Sequence, residues 1–467
     1  MSRTVVIGGV AAGMSAASQA RRRATGSEVV VLERGPHVSY GACGMPYNIL
    51  DAERSMDDLV VITPERFRTE RGIDVRTRHD VLGLDLGRRV VRGRDADGLP
   101  FEFGFDSLVI ATGARAIRPP LPGLDLPGVF LLRELTDGIA VKSFLAARAR
   151  TRAVIIGAGY IGMEMAEALR GRGLEVVVLE KAPQILPGFD PRVVEVVARE
   201  LARAGVSVEV GVSVHGVEAS GDQLVVATER GRRAADLVLV SIGVRPAVAL
   251  ARDAGVALGA SGAIATDDHM RTSVAGVYAA GDCAEAFHLV SRRPAYVPLG
   301  TTANKQGKVA GANAAGGDER FGGIVGTAAF KVFDLEVGRT GLTLSDAAAA
   351  GLDAITSAST HRSRGHAYPG SKVLTTVLVL ERKTGRLLGA QMVGAEGVTG
   401  RVDVLATALT SGMSVQQLEQ LDLAYAPPLA PVYDPLLIAA AVGGKDLAKA
   451  NRRDAGARPL APSVDGA

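Results

Sequence analysis

Ala153-Val154-Ile155-Ile156-Gly157-Ala158-Gly159-Tyr160-Ile161-Gly162 decides how this 467-residue chain is read. An unbroken apolar run suits a strand buried on both faces. The three glycines that follow at GxGxxG spacing suit a tight turn into a helix whose free N–H groups receive a pyrophosphate. Glu175-Val176-Val177-Val178-Leu179-Glu180 then supplies a second strand closed by an acid, the residue type that accepts a hydrogen bond from a ribose hydroxyl. That order predicts a βαβ dinucleotide-binding unit with Gly157, Gly159, Tyr160, Ile161, Gly162 and Glu180 at the nucleotide. Glu180 favours NADH because a carboxylate repels a 2′-phosphate, and Lys181 beside it keeps NADPH open.

A second copy opens the chain. Thr4-Val5-Val6-Ile7-Gly8-Gly9-Val10-Ala11-Ala12-Gly13 predicts a strand, a glycine turn and an alanine-rich helix through about Arg23, and Val29-Val30-Val31-Leu32-Glu33 closes the unit on an acid. Its one departure is Val10, where the middle glycine belongs. Two dinucleotides in one chain imply electron traffic between them, and FAD with NAD(P)H is the common pairing. Gly8, Val10, Ala11, Gly13, Glu33 and Arg34 are therefore expected at the first cofactor.

Composition agrees with this reading and excludes others. Fifty-seven glycines and 47% hydrophobic residues suit an α/β protein of many short parallel strands, while the absence of tryptophan and an aromatic content of 4% argue against a base-stacking nucleic-acid platform. A net charge of +3 is too small to imply a partner. No apolar run is long enough for a membrane span, and the N-terminus enters a strand pattern instead of a signal peptide. Two cysteines with no pairing motif suit a reducing cytoplasm. The seven histidines show no metal-ligand spacing, so no metal is expected.

Cys43, in Ser39-Tyr40-Gly41-Ala42-Cys43-Gly44-Met45-Pro46-Tyr47, is the candidate redox centre. A lone cysteine is by default a small packing residue. Here flanking glycines leave room around the sulfur, and Pro46 suits the first turn of a helix, which predicts a thiol near a helix N-terminus with a lowered pKa. Cys283 is expected to pack in the core.

Further along, Asp106 to Ala114 reads as a strand closed by Thr112-Gly113, followed by the proline-rich link Arg118 to Gly123. Asp236 to Pro246 gives a strand ending at Gly243, and Gly276 to Asp282 a strand leading into Gly281-Asp282, an acid suited to a flavin ribityl or pyrophosphate contact. These returns predict a first nucleotide domain, 1–118 and 245–325, split by a second at 119–244. An α+β domain is expected at 326–442, and the Gly, Lys, Ala and Pro composition of 443–467 predicts a disordered tail.

The motifs together resemble the single-cysteine branch of the FAD-dependent pyridine nucleotide-disulfide oxidoreductases, and within it the coenzyme A-disulfide reductases. The resemblance runs from residue 4 to about 440 and rests on Gly8 to Gly13, Cys43-Gly44-Met45-Pro46-Tyr47, Ala111-Thr112-Gly113, Gly157 to Gly162 with Glu164, Ala280-Gly281-Asp282, Gly300 to Gly307, His366 to Gly370 and Tyr425-Ala426-Pro427-Pro428. It implies a glutathione reductase-like arrangement of two Rossmann-like domains and a C-terminal α+β dimerisation domain. It also implies a homodimer in which Tyr368 and Tyr425 of the partner subunit serve the disulfide site. Ala111, Thr112, Gly113, Gly243, Gly281, Asp282 and Ala303 are implied as cofactor contacts. Glu164 is implied to help seat the nicotinamide, and Tyr160 to gate the flavin.

The activity implied is hydride transfer from NADH through FAD to Cys43, held as a mixed disulfide with coenzyme A or a related persulfide. Gln19, Arg22, Ser39, Ala42, Asn304, Lys305 and Lys308 are the expected substrate contacts. The same branch holds NADH oxidases and peroxidases that carry a histidine in the first glycine turn, where this chain has Ala11. Ala42 stands where the family often has asparagine, which puts coenzyme A selectivity in doubt. Two alternatives stay open: an NADH oxidase or peroxidase working through a Cys43 sulfenic acid, and a redox-sensing flavoprotein that acts by binding a partner.

Overall fold

Runs of valine, isoleucine and leucine build two separate five-stranded parallel sheets. The computed structural model describes residues 2–147, 149–365 and 367–456. The first sheet has the strand order Val277–Ala279, Ser107–Ile110, Arg3–Ile7, Glu28–Leu32, Asp74–Arg76, with Val5 in register with Val30 and Leu108. Val5, Val6, Val30, Val31, Leu108 and Val109 are all 0% exposed, so both faces are covered, as an all-parallel sheet requires. Val6, Val31 and Val109 pack with alanines of helix α1 (Ala11–Arg23), and Val5, Val30 and Leu108 face Phe105 and Val277 on the other side.

The second sheet has the order Val206–Val210, Glu175–Glu180, Arg152–Ile156, Leu237–Val240, Val129–Phe130. Val154, Ile156, Val238 and Val240 pack against Val217, Leu224 and Val226 of a small antiparallel sheet. Both parallel sheets belong to one compact unit, formed by Met1–Pro187, Leu201–His288 and Arg292–Ile324. The chain leaves the first sheet through Ala114–Ala116 and re-enters through Val244–Pro246, and these two strands pair antiparallel with Ala116 opposite Val244. Thr112 Oγ1 donates to the Ala247 carbonyl at 2.7 Å, and the Ala247 N–H donates to the Gly113 carbonyl at 2.9 Å, closing the crossing. Four further helices of this unit matter below: α2 (Met45–Leu50), α3 (Leu135–Ala147), α4 (Tyr160–Gly171) and α5 (Gly300–Ala314).

The second unit comprises Gly188–Glu200, Leu289–Ser291 and the chain from Val325 onward. It is α+β, with an antiparallel sheet ordered Ala328–Val332, Leu335–Gly341, Leu387–Gly394, Val373–Glu381, Ala354–Arg362. Val402, Leu405 and Leu409 of the helix Val398–Thr410 share a core with Leu378, Leu380 and Met392 of that sheet.

Order does not stop at Val442, where the composition predicts it to. The helix Pro435–Gly456 continues because Leu436, Ala439, Ala440 and Leu447 form one buried stripe in the same core, and Ser357 donates to Asp446 at 2.6 Å. The rest of the expected disordered tail, 457–467, and His366 lie outside the described residues. No helix among the described residues is long and apolar enough to cross a membrane.

Candidate active site

The two glycine turns share one geometry. Gly8 and Gly157 have φ of +104° and +105°, which only glycine adopts readily. A Cβ on Gly13 would lie 1.8 Å from the Gly8 carbonyl oxygen, and one on Gly162 would lie 2.2 Å from that of Gly157. The helix can therefore approach the turn only where no side chain intervenes. The middle position differs: a Cβ on Gly159 would meet no protein atom within 4 Å. The fold itself therefore does not demand glycine at that place, in keeping with Val10 in the first turn.

The two strand-terminal acids are also used alike. Glu33 accepts from the N–H groups of Gly9 (2.7 Å) and Gly35 (2.6 Å), and Glu180 from those of Ala158 (2.8 Å) and Ala182 (2.7 Å). Each carboxylate thus fixes its own turn and keeps lone pairs for a ribose hydroxyl. Burial raises the pKa of Glu33 against the lowering effect of its two backbone donors. Helices α1, α4 and α5 begin without a side-chain cap and without an acid in the first turn, unlike the helices capped by Thr63, Thr343 and Ser414. Uncapped N–H groups suit phosphate oxygens.

A cleft of about 430 Å³ brings together much of what the motifs predict. Gly8, Val10, Ala11, Glu33, Arg34, Ala42, Cys43, Ala111, Thr112, Gly113, Gly281, Asp282, Ala303 and Asn304 line it. Its size, the glycine turn and the free helix starts fit FAD. The buried Tyr296 hydroxyl, in the field of Asp282 and Arg133, also lacks a hydrogen-bond partner among the described residues. Gly13 is buried behind this cleft under the start of α1. Gly157, Gly159, Tyr160, Ile161, Gly162, Glu164, Glu180 and Gly243 are not part of its lining; those from Gly157 to Glu180 belong to the second turn, its helix and its acid, and Gly243 precedes the returning strand Val244–Pro246.

The expected substrate contacts fall in two places. Ser39 takes a left-handed φ of 51°, and its N–H donates to the Gly9 carbonyl at 2.8 Å. Gln19, Arg22, Asn304, Lys305 and Lys308 lie on α1 and α5, where Ser15 donates to Asn304 (2.7 Å) and Arg22 to Gln19 (3.3 Å). Of these five only Asn304 reaches the cleft wall. Tyr368 and Tyr425 lie in the second unit, 39% and 53% exposed, on loops joined by the Gly365 N–H to the Pro427 carbonyl at 3.2 Å.

Cys43 is exposed, in the short turn Ala42–Gly44 that leads into α2, and Pro46 does occupy the first turn of that helix. Cys283 is wholly buried, with its Sγ 3.4 Å from the Ile110 and Ala280 carbonyl oxygens. The expected lowering of the Cys43 pKa is not found. Partial desolvation where the thiol lines the cleft raises it, the Glu164 and Asp282 carboxylates raise it further, and Arg133 opposes them.

Several polar residues at or near the cleft carry no motif. Arg133 pairs with Asp282 at 2.7 Å and donates to the Ala114 carbonyl, which occupies one oxygen of the acid expected at the flavin. The two are 149 positions apart, and no spacing rule joins them. Tyr47 donates to Glu164 at 3.0 Å. Burial pushes the Glu164 carboxyl up to about 7, partly offset by the Tyr47 hydroxyl.

A stability consequence follows from that acid. Between its ordinary pKa and about 7 the folded protein holds a proton that the unfolded chain has released, so stability falls as pH rises through this window. Glu164→Gln should flatten the slope: the difference in Tm between pH 5 and pH 8 is expected to shrink, and an unchanged slope would contradict the assignment.

Residues 2–307 match the pyridine nucleotide-disulphide oxidoreductase family, and residues 327–435 match its dimerisation domain. The chain is 39% identical over 439 residues to the CoA-dependent NAD(P)H sulfur oxidoreductase of Pyrococcus abyssi, spanning 94% of this chain and 97% of that one. It is 36% identical over 439 residues to the NADH oxidase of Methanocaldococcus jannaschii, spanning 94% and 98%. Among solved structures, a NAD-dependent persulfide reductase from A. fulgidus superposes with a TM-score of 0.91 at 37% identity, over 97% of this chain and 84% of that one.

Proposed function

The chain belongs to the pyridine nucleotide-disulphide oxidoreductase family, and on that premise we propose that it is an FAD-dependent NAD(P)H reductase of small disulfides or persulfides, coenzyme A disulfide and coenzyme A persulfides foremost, working as a homodimer through the single thiol of Cys43. The observation that carries this is Cys43 itself: an exposed sulfur in the wall of the cofactor cleft, while the chain's other cysteine is sealed in the core. Bound FAD supplies the relay that takes hydride from NAD(P)H and delivers two electrons to sulfur.

With one cysteine at the cleft, the other half of each disulfide belongs to the substrate. The Cys43 thiolate attacks one sulfur of RSSR, the S–S bond breaks, and RS⁻ leaves while Cys43–S–S–R forms. Two electrons from NAD(P)H cleave that mixed disulfide, release the second RS⁻ and restore the thiolate. The sum is NAD(P)H + H⁺ + RSSR giving NAD(P)⁺ + 2 RSH. Arg133 is the cation that favours the Cys43 thiolate. Glu33 and Glu180 order the two turns and offer lone pairs to the riboses. The division of the first nucleotide domain, 1–118 and 245–325, around a second at 119–244 belongs to the same reading, as do the substrate contacts from Gln19 to Lys308.

Tyr368 and Tyr425 act here as donors lent across the dimer to the leaving thiolate. Tyr425→Phe is expected to lower disulfide turnover roughly ten- to a hundredfold, with flavin content and dimer mass unchanged. A variant as active as its parent would remove that residue from the site.

Mass spectrometry of the intact protein as purified tests the substrate class. An adduct of coenzyme A mass on Cys43 supports the reading. A one-oxygen adduct favours the NADH oxidase alternative, with its relative in Methanocaldococcus jannaschii. Unmodified Cys43 together with no NADH consumption on any disulfide overturns it.

A further inference from the structure

The glycine turns and the cleft leave the helix that follows Cys43 unexplained. Helix α2 has six residues, too short to hold its place alone, and its neighbours fix it from both ends. At its C-terminal end Arg172, just past α4, donates to the Ile49 carbonyl at 3.2 Å, and Lys142 of α3 donates to the Asn48 and Asp51 carbonyls at 2.8 and 2.7 Å. Leu50 lies so close to Gly171 that a Cβ there would be 2.2 Å from its Cδ1. One turn after Cys43, the Tyr47 hydroxyl donates across to Glu164 Oε1 of α4 at 3.0 Å.

We propose that Tyr47 is a positioning residue: its phenol holds the Glu164 carboxylate at a fixed place between the helix that follows the cysteine and the helix of the second nucleotide turn, so that charge on Glu164 is felt at Cys43. Among the described residues, Glu164 is faced by Tyr47 from α2, Glu167 from its own helix, and Cys43 from the turn before α2. Cys43 in turn faces Glu164, Arg133 and Asp282, with Tyr47 behind it. The phenol's own pKa is far above neutral, raised by burial and by Glu164, so it stays a donor throughout the working range. Its hydrogen bond favours the charged carboxylate, and the charged carboxylate disfavours the thiolate. A nucleotide that changed the charge or solvation of Glu164 on arriving at the second turn would thereby change the reactivity of the thiol in the turn before α2.

The sign of this coupling is unusual and makes it testable. Cys43 ionises well above the Glu164 pKa of about 7, so Glu164 is charged there; removing the phenol frees that carboxylate from its fixed place, and its charge then bears less on the thiol. In the flavin-loaded protein, reduced and freed of thiol, the rate of Cys43 alkylation by iodoacetamide is followed against pH by peptide mass spectrometry. Tyr47→Phe is expected to move the midpoint about one pH unit toward acid. Glu164→Gln should move it the same way, and the double variant should match Glu164→Gln alone. An unmoved midpoint in Tyr47→Phe, or additive shifts in the double variant, overturns the proposal. Should Tyr47→Phe fail to hold flavin, Tyr47→Leu carries the same expectation. The meaning for turnover rests on Cys43 being the reacting thiol, but alkylation reads the thiol directly. If Cys43→Ser left turnover intact while the midpoints moved as stated, the functional reading would fail and the coupling would stand.

Discussion

Cys43→Ser is expected to abolish reduction of coenzyme A disulfide and persulfides, with turnover falling roughly a thousandfold or more, while bound flavin stays at the level of the parent. A serine hydroxyl cannot form the mixed disulfide on which the cycle depends, and its oxygen is far less nucleophilic than a thiolate at neutral pH. No other sulfur can substitute, because Cys283 is 0% exposed in the core of the first sheet. Flavin retention is expected because the pyrophosphate features, Gly8, Gly13 and the uncapped start of α1, do not involve the thiol. Rates of NADH oxidation with coenzyme A disulfide, with a coenzyme A persulfide and with dioxygen alone separate the alternatives. Unchanged disulfide turnover would sink the cysteine mechanism. A dioxygen rate that vanishes with the thiol, in a parent with little disulfide activity, would identify an oxidase working through sulfenic acid.

The second large effect is expected from a single methyl group. In Gly162→Ala the new Cβ would lie 2.2 Å from the Gly157 carbonyl oxygen and 3.2 Å from Ser241 Oγ. The serine can turn away. The carbonyl cannot, because Gly157 is tied to the second sheet through its N–H to the Leu179 carbonyl at 2.8 Å. Helix α4 must therefore lift from the turn, taking its free N–H groups away from the phosphates and disturbing Glu164. An overpacking cost of about 2–3 kcal/mol, expressed in nucleotide affinity, raises KM for NADH roughly thirty- to 150-fold. Flavin content should not change, since the first turn is untouched. The matched change Gly13→Ala, with its Cβ 1.8 Å from the Gly8 oxygen, should instead deplete flavin. A pair of variants that both lost flavin, or both lost only NADH affinity, would show that the two turns do not serve separate nucleotides.

Those turns were legible because strand, glycine spacing and acid sit within about thirty residues, the span of one βαβ unit. Val10 was an anomaly in the sequence alone. The open space at Gly159 shows that the fold itself does not require glycine at the middle position. The thiol's electrostatics were illegible for the opposite reason: Cys43 follows the first turn, but the carboxylate that opposes its ionisation belongs to the helix after the second. Arg133 likewise reaches Asp282 only through the folded crossing. The C-terminal helix was missed because glycine, lysine and alanine suggest disorder when counted, whereas Leu436, Ala439, Ala440 and Leu447 form a stripe when placed on a helix.

The crossing strands Ala114–Ala116 and Val244–Pro246 bear on the order in which the chain can be assembled as it leaves the ribosome. All five strands of the second sheet fall between Val129 and Val240. The first sheet begins at Arg3 but needs Val277–Ala279 for its outer strand. During synthesis from the N-terminus, the interior segment can therefore complete its sheet while the flanking one still waits for an edge. The part of the chain made first is finished after the segment inserted into it, and its hydrophobic strands stay incompletely paired for the longest time.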